Sequence, residues 1–327
     1  MIDELSALRL IKERFQRVSK NILVGIGDDA AAVKLNPENL LLATVDSQIE
    51  GVHFVKGFTS TKELGRKAIA VSVSDIGAMG GVPKFFLASL GFSEEEDEAF
   101  FEELMDGIQE AAEEFKIDLI GGNLSESKKF FLDVTVLGEV EPNLLIKRSG
   151  ARTGDKIFVS GTVGDSALGL KILTSETKSK MNRFLISRHN SPEPRLKLSR
   201  ELAQRGLVTS MIDLSDGLIL DLERITAEYG LGAEVSVDKI PISFHYKENI
   251  YNFTKDLYEL ALSGGEDYEL IFTSPKEKRE EIIRVSKKLN IQITEIGRVT
   301  NKPPVRVLDG DGKEIKLKGK GFIHFNI

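Results

Sequence analysis

The chain has 327 residues, of which 29% are charged and 41% hydrophobic, and its formal net charge is −7 at pH 7. This acidic balance argues against nonspecific nucleic-acid binding, which relies on Lys and Arg to neutralise phosphates. No cysteine is present, so disulfides, thiolate nucleophiles and Cys-ligated metal sites are excluded. The length suits two domains, and the charged N-terminal segment predicts a cytoplasmic protein with no membrane partner.

Strand-like and helix-like segments alternate along the first half of the chain. An apolar run over 40–47 closes on Asp46, as expected for a buried strand. Small residues over 61–80 predict a helix that carries Asp75. The alternation of apolar and polar residues over 131–140 predicts a half-buried strand.

The pattern over 93–115 predicts an amphipathic helix with an apolar stripe along one face. Ser93 is the expected N-cap of this helix. The acidic run Glu94–Glu98 is then a solvated first turn whose charge complements the helix dipole.

A connecting stretch with one proline and two glycines follows residue 141 and predicts domains at 1–141 and 142–327. The second half continues with predicted strands at 156–161, 234–242, 268–272 and 305–317. A hairpin turn explains Asp309–Gly312 better than a calcium loop does. Mixed strands and helices in two blocks predict an α+β fold of two domains.

Several carboxylates occur among Gly, Ala, Ser and aliphatic residues, without a basic neighbour in sequence. These acids are Asp28, Asp29, Asp46, Asp75, Asp213, Asp216, Glu266 and Asp267. A lone Gly-Asp-Asp is usually a solvated turn. Repeated acids in apolar surroundings instead either bind cations or shift their protonation, and oxygen ligands without His or Cys suit Mg²⁺ or Ca²⁺. The residues alone therefore predict several Mg²⁺ ions on a polyphosphate, and they leave the substrate open.

Seven motifs occur along the chain in the order in which the thiamine-monophosphate kinase family has them. They are GIGDDAA, TVD, EGVHF, VSDIGAMGG-P, MIDLSDGL, ALSGGEDYEL and KGF-HF. The chain thus resembles that family, which belongs to the PurM-like superfamily of aminoimidazole ribonucleotide synthetase. The resemblance implies an N-terminal α/β sheet domain that forms a homodimer through its sheet. It also implies a larger α+β C-terminal domain, with ATP bound in the cleft between the domains.

The same resemblance implies a role for individual residues. The implied Mg²⁺ ligands are Asp29, Thr44, the backbone of Val45, Asp46, Asp75, Asn123, Asp213 and Asp216. Asp46, Asp75 and Asp213 would be catalytic. Gly122, Arg148 and Ser215 would contact ATP. His53, Glu266 and Phe322 would lie at thiamine phosphate. The family commonly has Asp where Asn123 stands and a hydroxyl residue where Val45 stands, and the first departure weakens one metal contact.

The implied reaction is direct transfer of the γ-phosphoryl group of ATP to thiamine phosphate, giving thiamine diphosphate and ADP. The acceptor is already an anionic phosphate oxygen, so positioning and charge neutralisation suffice without a general base. The alternatives are aminoimidazole ribonucleotide synthetase, a selenide-activating enzyme and a noncatalytic nucleotide- or metal-binding regulator. EGVHF and ALSGGEDYEL disfavour the first, and the absence of cysteine disfavours the second.

Overall fold

The computed structural model describes residues 22–24, 29–34, 38–175 and 182–323, which form two six-stranded sheets with their helices. The strands are β1 Ile22–Val24, β2 Ala31–Lys34, β3 Leu40–Ile49, β4 Val82–Phe92, β5 Asp118–Glu126, β6 Phe131–Val140, β7 Lys156–Ser160, β8 Ser210–Asp213, β9 Gly232–Ser236, β10 Leu270–Ser274, β11 Ile293–Thr300 and β12 Val305–Leu308. The α-helices are α1 Thr61–Ala78, α2 Glu98–Phe115, α3 Asp165–Thr174, α4 Arg183–Asn190, α5 Leu196–Gln204, α6 Leu218–Ala227, α7 Phe244–Asn249, α8 Glu259–Ser263 and α9 Arg279–Leu289.

The first sheet has the strand order β1-β2-β3-β6-β4-β5, and only β4 and β5 pair in parallel within it. Burial alternates along β6, and its buried residues pack with α1 and α2 in one apolar core. This confirms the predicted strand over 131–140. The opposite face of the sheet carries no helix among the described residues, and Val45 and Phe85 are exposed on it.

The second sheet has the order β12-β9-β11-β7-β10-β8, with a parallel pair only between β12 and β9. Its helices include α3, α6 and α8, which share a second core with it. Two blocks of mixed strands and helices confirm the predicted α+β fold of two domains. The predicted boundary at 141/142 falls in the connection between β6 and β7, and it stays a prediction.

Helix α1 lies between the two sheets. Its N-terminus is a capping box, in which Ser60 accepts the Glu63 N–H and Glu63 accepts the Ser60 N–H. Most of its residues are buried, and it packs on β3 and β6 on one side and on α5 and β8 on the other. A helix that contacts both domains can carry site residues toward the cleft between them. Neither α1 nor any other helix of the described ranges is long and apolar enough to cross a bilayer.

The predicted helix start at Ser93 is wrong. The helix begins at Glu98, because the side chain of Asp97 caps it by accepting a backbone N–H of the first turn at 2.9 Å. The carboxylate of Glu96 is buried against the ammonium of Lys56. The acidic run is therefore mostly a loop tied to the segment after β3, rather than a solvated helical turn.

The strands of the second half begin or end near the predicted positions. The strand predicted over 234–242 ends at Ser236, where a short 3₁₀ turn replaces it. The strand predicted over 268–272 lies two residues later, at Leu270–Ser274. After β12, the side chain of Asp309 accepts the backbone N–H groups of Asp311 and Lys313, which confirms a turn there.

Candidate active site

Three carboxylates from distant parts of the chain converge between the domains. Asp29 precedes β2, Asp75 lies near the end of α1, and Asp213 ends β8. One oxygen of each lies within 4.8 Å of the others. Asp29 and Asp213 are buried, so their charges cannot be screened by bulk water. Asp28, the neighbour of Asp29, lies outside the described residues.

Hydroxyl groups hold one oxygen of two of these acids. Thr44 Oγ1 donates to Asp75 Oδ2 at 2.5 Å, and Ser74 Oγ donates to Asp213 Oδ2 at 2.6 Å. Because Ser74 is on α1 and Asp213 on β8, the second bond crosses from one domain to the other. The hydroxyls fix the orientation of the carboxylates without neutralising them.

Asp46, Asp75 and Asp213 have raised pKa values. Burial raises the pKa of Asp75 well above its usual value, and the charges of Asp46, Asp213 and Asp29 raise it further. Burial is also the main cause of the raised pKa of Asp213 and of Asp46. A bound cation would displace these protons, since metal ligands must be deprotonated.

The donor set fits Mg²⁺. Asp46 Oδ2 and Asp213 Oδ1 are buried and have no hydrogen-bond partner among the described residues. All the candidate ligand atoms are oxygens of carboxylate, hydroxyl, amide or backbone carbonyl groups, which hard divalent cations prefer. Mg²⁺ usually completes its coordination with water and substrate phosphates. The residues therefore match a cation that also binds a polyphosphate.

Two arginines pair with predicted metal ligands. Arg148 Nη2 lies 2.7 Å from Asp29 Oδ1, so the residue predicted to contact ATP borders the carboxylate cluster. Arg224 Nη2 lies 2.5 Å from Asp216 Oδ2, and its Nη1 lies 2.7 Å from Asp221 Oδ1. The structure thus brings Asp216 to an arginine instead of to the three-carboxylate cluster.

The sheet register separates Asn123 from Asp46. Across the adjacent strands, Asp46 lies opposite Val134, Val134 lies opposite Ala88, and Ala88 lies opposite Gly122. Asn123 is one residue further along, and successive side chains of a strand point to opposite faces. Asn123 therefore belongs to the open face of the sheet, and its role as a metal ligand stays a prediction.

The side chain of Val45 also lies on this open face and is 62% exposed. Only its backbone could serve the metal site, as predicted. A Cβ on Gly122 would lie 2.0 Å from the carbonyl oxygen of Ala88. A side chain at position 122 is therefore excluded by the neighbouring strand, and the backbone there stays uncovered.

The loop that carries Glu266 is hydrogen-bonded to the loop that carries Ser215. Glu266 N donates to Ser215 O at 2.8 Å, and Tyr268 N donates to Leu214 O at 2.9 Å. Glu266 and Tyr268 have φ values of 63° and 50°, a left-handed conformation that costs free energy in residues other than glycine. A Cβ on Gly265 would lie 2.4 Å from Ser215 O, so glycine permits this close approach.

Glu266 is surrounded by nitrogen groups from both domains. Lys67 Nζ lies 3.1 Å from its Oε1, and His189 Nδ1 lies 3.1 Å from its Oε2. Burial alone would raise the pKa of Glu266, but the charges of Lys67, His189 and His53 outweigh burial and lower it. His53 Nδ1 accepts the Ile49 N–H at 3.1 Å, so the neutral ring carries its proton on Nε2.

The third predicted substrate residue, Phe322, is half exposed near the C-terminal end of the described chain. Its N–H donates to Asp216 O at 2.9 Å, which fixes it beside the Ser215 loop. His53 and Glu266 thus interact electrostatically, and Phe322 and Glu266 flank the same loop.

Sequence reasoning missed Lys67, Tyr268 and Arg224. Burial raises the pKa of the Tyr268 phenol, and the charges of Glu266, Asp46, Asp213 and Asp75 raise it further. This phenol therefore lies where the fields of the carboxylate cluster and of Glu266 overlap. The only signal for it was its place in the motif ALSGGEDYEL.

Comparison with known proteins gives consistent matches over nearly the whole chain. The chain matches AIR synthase related protein, with the N-terminal domain at residues 27–140 and the C-terminal domain at 152–310. It is 39% identical over 303 residues to the thiamine-monophosphate kinase of Aquifex aeolicus (strain VF5), covering 92% of each chain. It is 35% identical to that of Bacillus subtilis (strain 168), covering 99% of this chain and 100% of the other.

A solved structure of AaThiL complexed with AMPPCP and TMP is also similar. It has a TM-score of 0.86 and 37% identity, and the match covers 99% of this chain and 97% of that chain. Similarity at this level supports comparison of the cleft between the domains as well as of the fold.

Proposed function

Because the chain belongs to the thiamine-monophosphate kinase family, we propose that it transfers the γ-phosphoryl group of ATP to thiamine phosphate. The products are thiamine diphosphate and ADP. The observation that carries this conclusion is the convergence of Asp29, Asp75 and Asp213 between the two domains, with Glu266 nearby. The similar AaThiL, complexed with AMPPCP and TMP, supports the same pair of substrates.

We propose that Asp29, Asp46, Asp75 and Asp213 hold the Mg²⁺ ions that the family implies, with Thr44 and the backbone of Val45 beside them. Bound Mg²⁺ would neutralise charge on the phosphate oxygens during transfer. Thr44 and Ser74 orient Asp75 and Asp213 through their hydroxyl hydrogen bonds. Asp216, whose Oδ2 pairs with Arg224, would join this set through its other oxygen or by leaving Arg224.

The proposed nucleotide contacts are Gly122, Arg148 and Ser215. Arg148 reaches the cluster through Asp29, and a guanidinium at this place can bind phosphate oxygens with two donors. Gly122 leaves its strand backbone uncovered by a side chain, as the close approach of Ala88 requires. The loop that carries Ser215 is held by its backbone bond to Glu266, so ATP and acceptor contacts share one rigid unit.

The proposed acceptor contacts are His53, Glu266 and Phe322. Thiamine phosphate carries a cationic thiazolium and an aminopyrimidine, which suit a carboxylate and an aromatic face. The acceptor oxygen is already anionic, so these residues need only hold it in line with the γ-phosphate and exclude water. Transfer is direct, and no side chain becomes phosphorylated.

A product assay tests this function. Purified protein is incubated with Mg·ATP and either thiamine phosphate, thiamine or no acceptor, and nucleotides and thiamine esters are separated by chromatography. We expect equal amounts of ADP and thiamine diphosphate with thiamine phosphate, and loss of turnover in excess EDTA. Tight ATP binding without turnover would instead favour a noncatalytic regulator, and a trapped phosphoenzyme would overturn direct transfer.

We also propose that the open face of the first sheet forms a homodimer, as the resemblance implies. Val45 and Phe85 are apolar residues that are 62% and 43% exposed on this face, and no helix of the described residues covers it. Sedimentation equilibrium should give twice the chain mass, and Phe85→Glu should shift the protein toward the monomer. Phe101→Glu, on α2 away from this face, is the matched control. A cytoplasmic location stays a prediction.

A further inference from the structure

A buried lysine joins the two domains at the acceptor end of the cleft. Lys67 lies on α1 and is 1% exposed. Its ammonium lies 3.1 Å from Glu266 Oε1 and 3.2 Å from Glu266 Oε2, so it contacts both oxygens of the carboxylate. An ammonium this deeply buried is tolerated only when it is paired, because desolvation of a charge is costly.

Three other groups among the described residues face Glu266. They are His189 on α4, His53 in the segment between β3 and α1, and the phenol of Tyr268. Burial lowers the pKa of His189 to about 4, so this ring is neutral at pH 7. His189 Nδ1 also lies 3.1 Å from Ser166 Oγ, which fixes the ring in place. Among these described groups, Lys67 therefore does most to offset the charge of Glu266.

We propose that Lys67 is a positioning residue for the acceptor substrate, because its ammonium contacts both oxygens of the Glu266 carboxylate and fixes the direction of that group. This inference rests on the proposed function, in which Glu266 receives the cationic part of thiamine phosphate. Glu266 adopts a left-handed backbone conformation, with a φ of 63°. Lys67 contacts its carboxylate from the other domain.

The placement of Lys67 also links the two halves of the active site. Lys67 and Asp75 lie eight residues apart on α1, and a helix rises about 1.5 Å per residue. The two side chains therefore start about 12 Å apart along one rigid element. One helix sets the distance between the carboxylate cluster and the carboxylate that receives the organic part of the acceptor.

Removal of the ammonium should change the protonation of Glu266. In Lys67→Met the partly buried carboxylate would lose its counter-charge, and desolvation would then raise its pKa. A protonated Glu266 is a poor partner for a cation. We expect the affinity for thiamine phosphate to fall at least about tenfold at pH 7, and to recover as the pH rises and Glu266 ionises. Lys67→Arg, which keeps the charge, should recover most of the loss.

The test is calorimetric titration of thiamine phosphate into the full chain with Mg²⁺ and AMPPCP present, at pH 6.5 to 9. The variants are Lys67→Met, Lys67→Arg, Glu266→Gln and the double variant, and thermal unfolding verifies that each is folded. In the Glu266→Gln background, Lys67→Met should cost no further affinity, because its effect acts through the carboxylate. Lys67→Gln replaces Lys67→Met if the latter does not fold.

Unchanged affinity in Lys67→Met, or a loss that is independent of pH and persists beside Glu266→Gln, would overturn the inference and leave the proposed function intact. A merely structural lysine would lower the unfolding temperature without a pH-dependent affinity. Failure of the wild-type protein to bind thiamine phosphate would refute the proposed function and this inference together.

Discussion

Asp75→Asn should make the metal-free protein more stable and the enzyme much slower. The oxygens of Asp75, Asp29 and Asp213 lie within 4.8 Å of one another, and two unit charges at that distance repel by about 3.5 kcal/mol at an effective dielectric constant of about 20. Arg148 offsets part of this at Asp29, and protonation relieves part of the rest. We therefore expect a net gain of about 1–2 kcal/mol for the neutral amide in metal-free protein.

The sign of the pH dependence follows from the raised pKa of Asp75. Burial first, and then the neighbouring aspartates, raise it above the usual 3.8, so the folded state holds a proton that the unfolded state releases. The stability of metal-free wild type should thus increase as pH falls through the folded pKa toward 3.8, and decrease as pH rises. Asp75→Asn removes this pH dependence, because an amide does not titrate. The Thr44 hydroxyl can still donate a hydrogen bond to the amide oxygen.

Two measurements separate the effects. In EDTA at pH 7.5, the unfolding temperature of Asp75→Asn should exceed that of wild type by about 2–5 °C. With Mg²⁺ and AMPPCP the order should reverse, because the wild type gains more from binding. Turnover should fall roughly a hundredfold or more. Asp106→Asn, an exposed acid on α2, is the control and should change neither quantity. An unstabilised Asp75→Asn with wild-type Mg²⁺ dependence would refute this account of the cluster.

Three further substitutions test other parts of the site. Asn123→Asp should leave the Mg²⁺ concentration for half-maximal activity unchanged, because the strand register places residue 123 on the sheet face that carries Asp133. A clear decrease in that concentration would indicate that residue 123 binds the metal. Burial lowers the pKa of His189 to about 4, so the wild-type protein should lose stability as the pH falls from 6.5 toward 4. His189→Gln should abolish this loss in a plot of unfolding temperature against pH. Arg224→Gln should lower the Mn²⁺ concentration that half-saturates metal binding in a calorimetric titration, because it releases Asp216; unchanged binding would exclude Asp216 from the metal set.

Local sequence patterns predicted the elements that follow from periodicity. The strand over 131–140 and the helix over 61–80 depend on side-chain spacing along one segment, and both were confirmed. The helix start at Ser93 was wrong because two competing caps stand close together. Asp97 caps the helix, whereas Glu96 lies in the loop before it and is bonded to Lys56 and Ser93.

Sequence reasoning found the acids of the site but not their partners. Asp29, Asp75 and Asp213 stood out because no basic residue is near them in sequence, and the structure brings them together. Their charge partners come from distant segments, as Arg148 does for Asp29 and Lys67 for Glu266. Such pairs depend on how the two domains face each other, and a single sequence carries no record of that arrangement.

The position of α1 between the sheets makes its residue count part of the catalytic geometry. A helix turns about 100° per residue, so deletion of one residue between Lys67 and Asp75 would rotate one side chain away from its partner while the other stayed in place. If Asp75 were the side chain that rotated, its neighbour Ser74 would rotate with it, and the hydrogen bond from Ser74 to Asp213 would be lost. Loops elsewhere in the chain can change length, whereas this stretch can vary in composition only while its helical phase is kept.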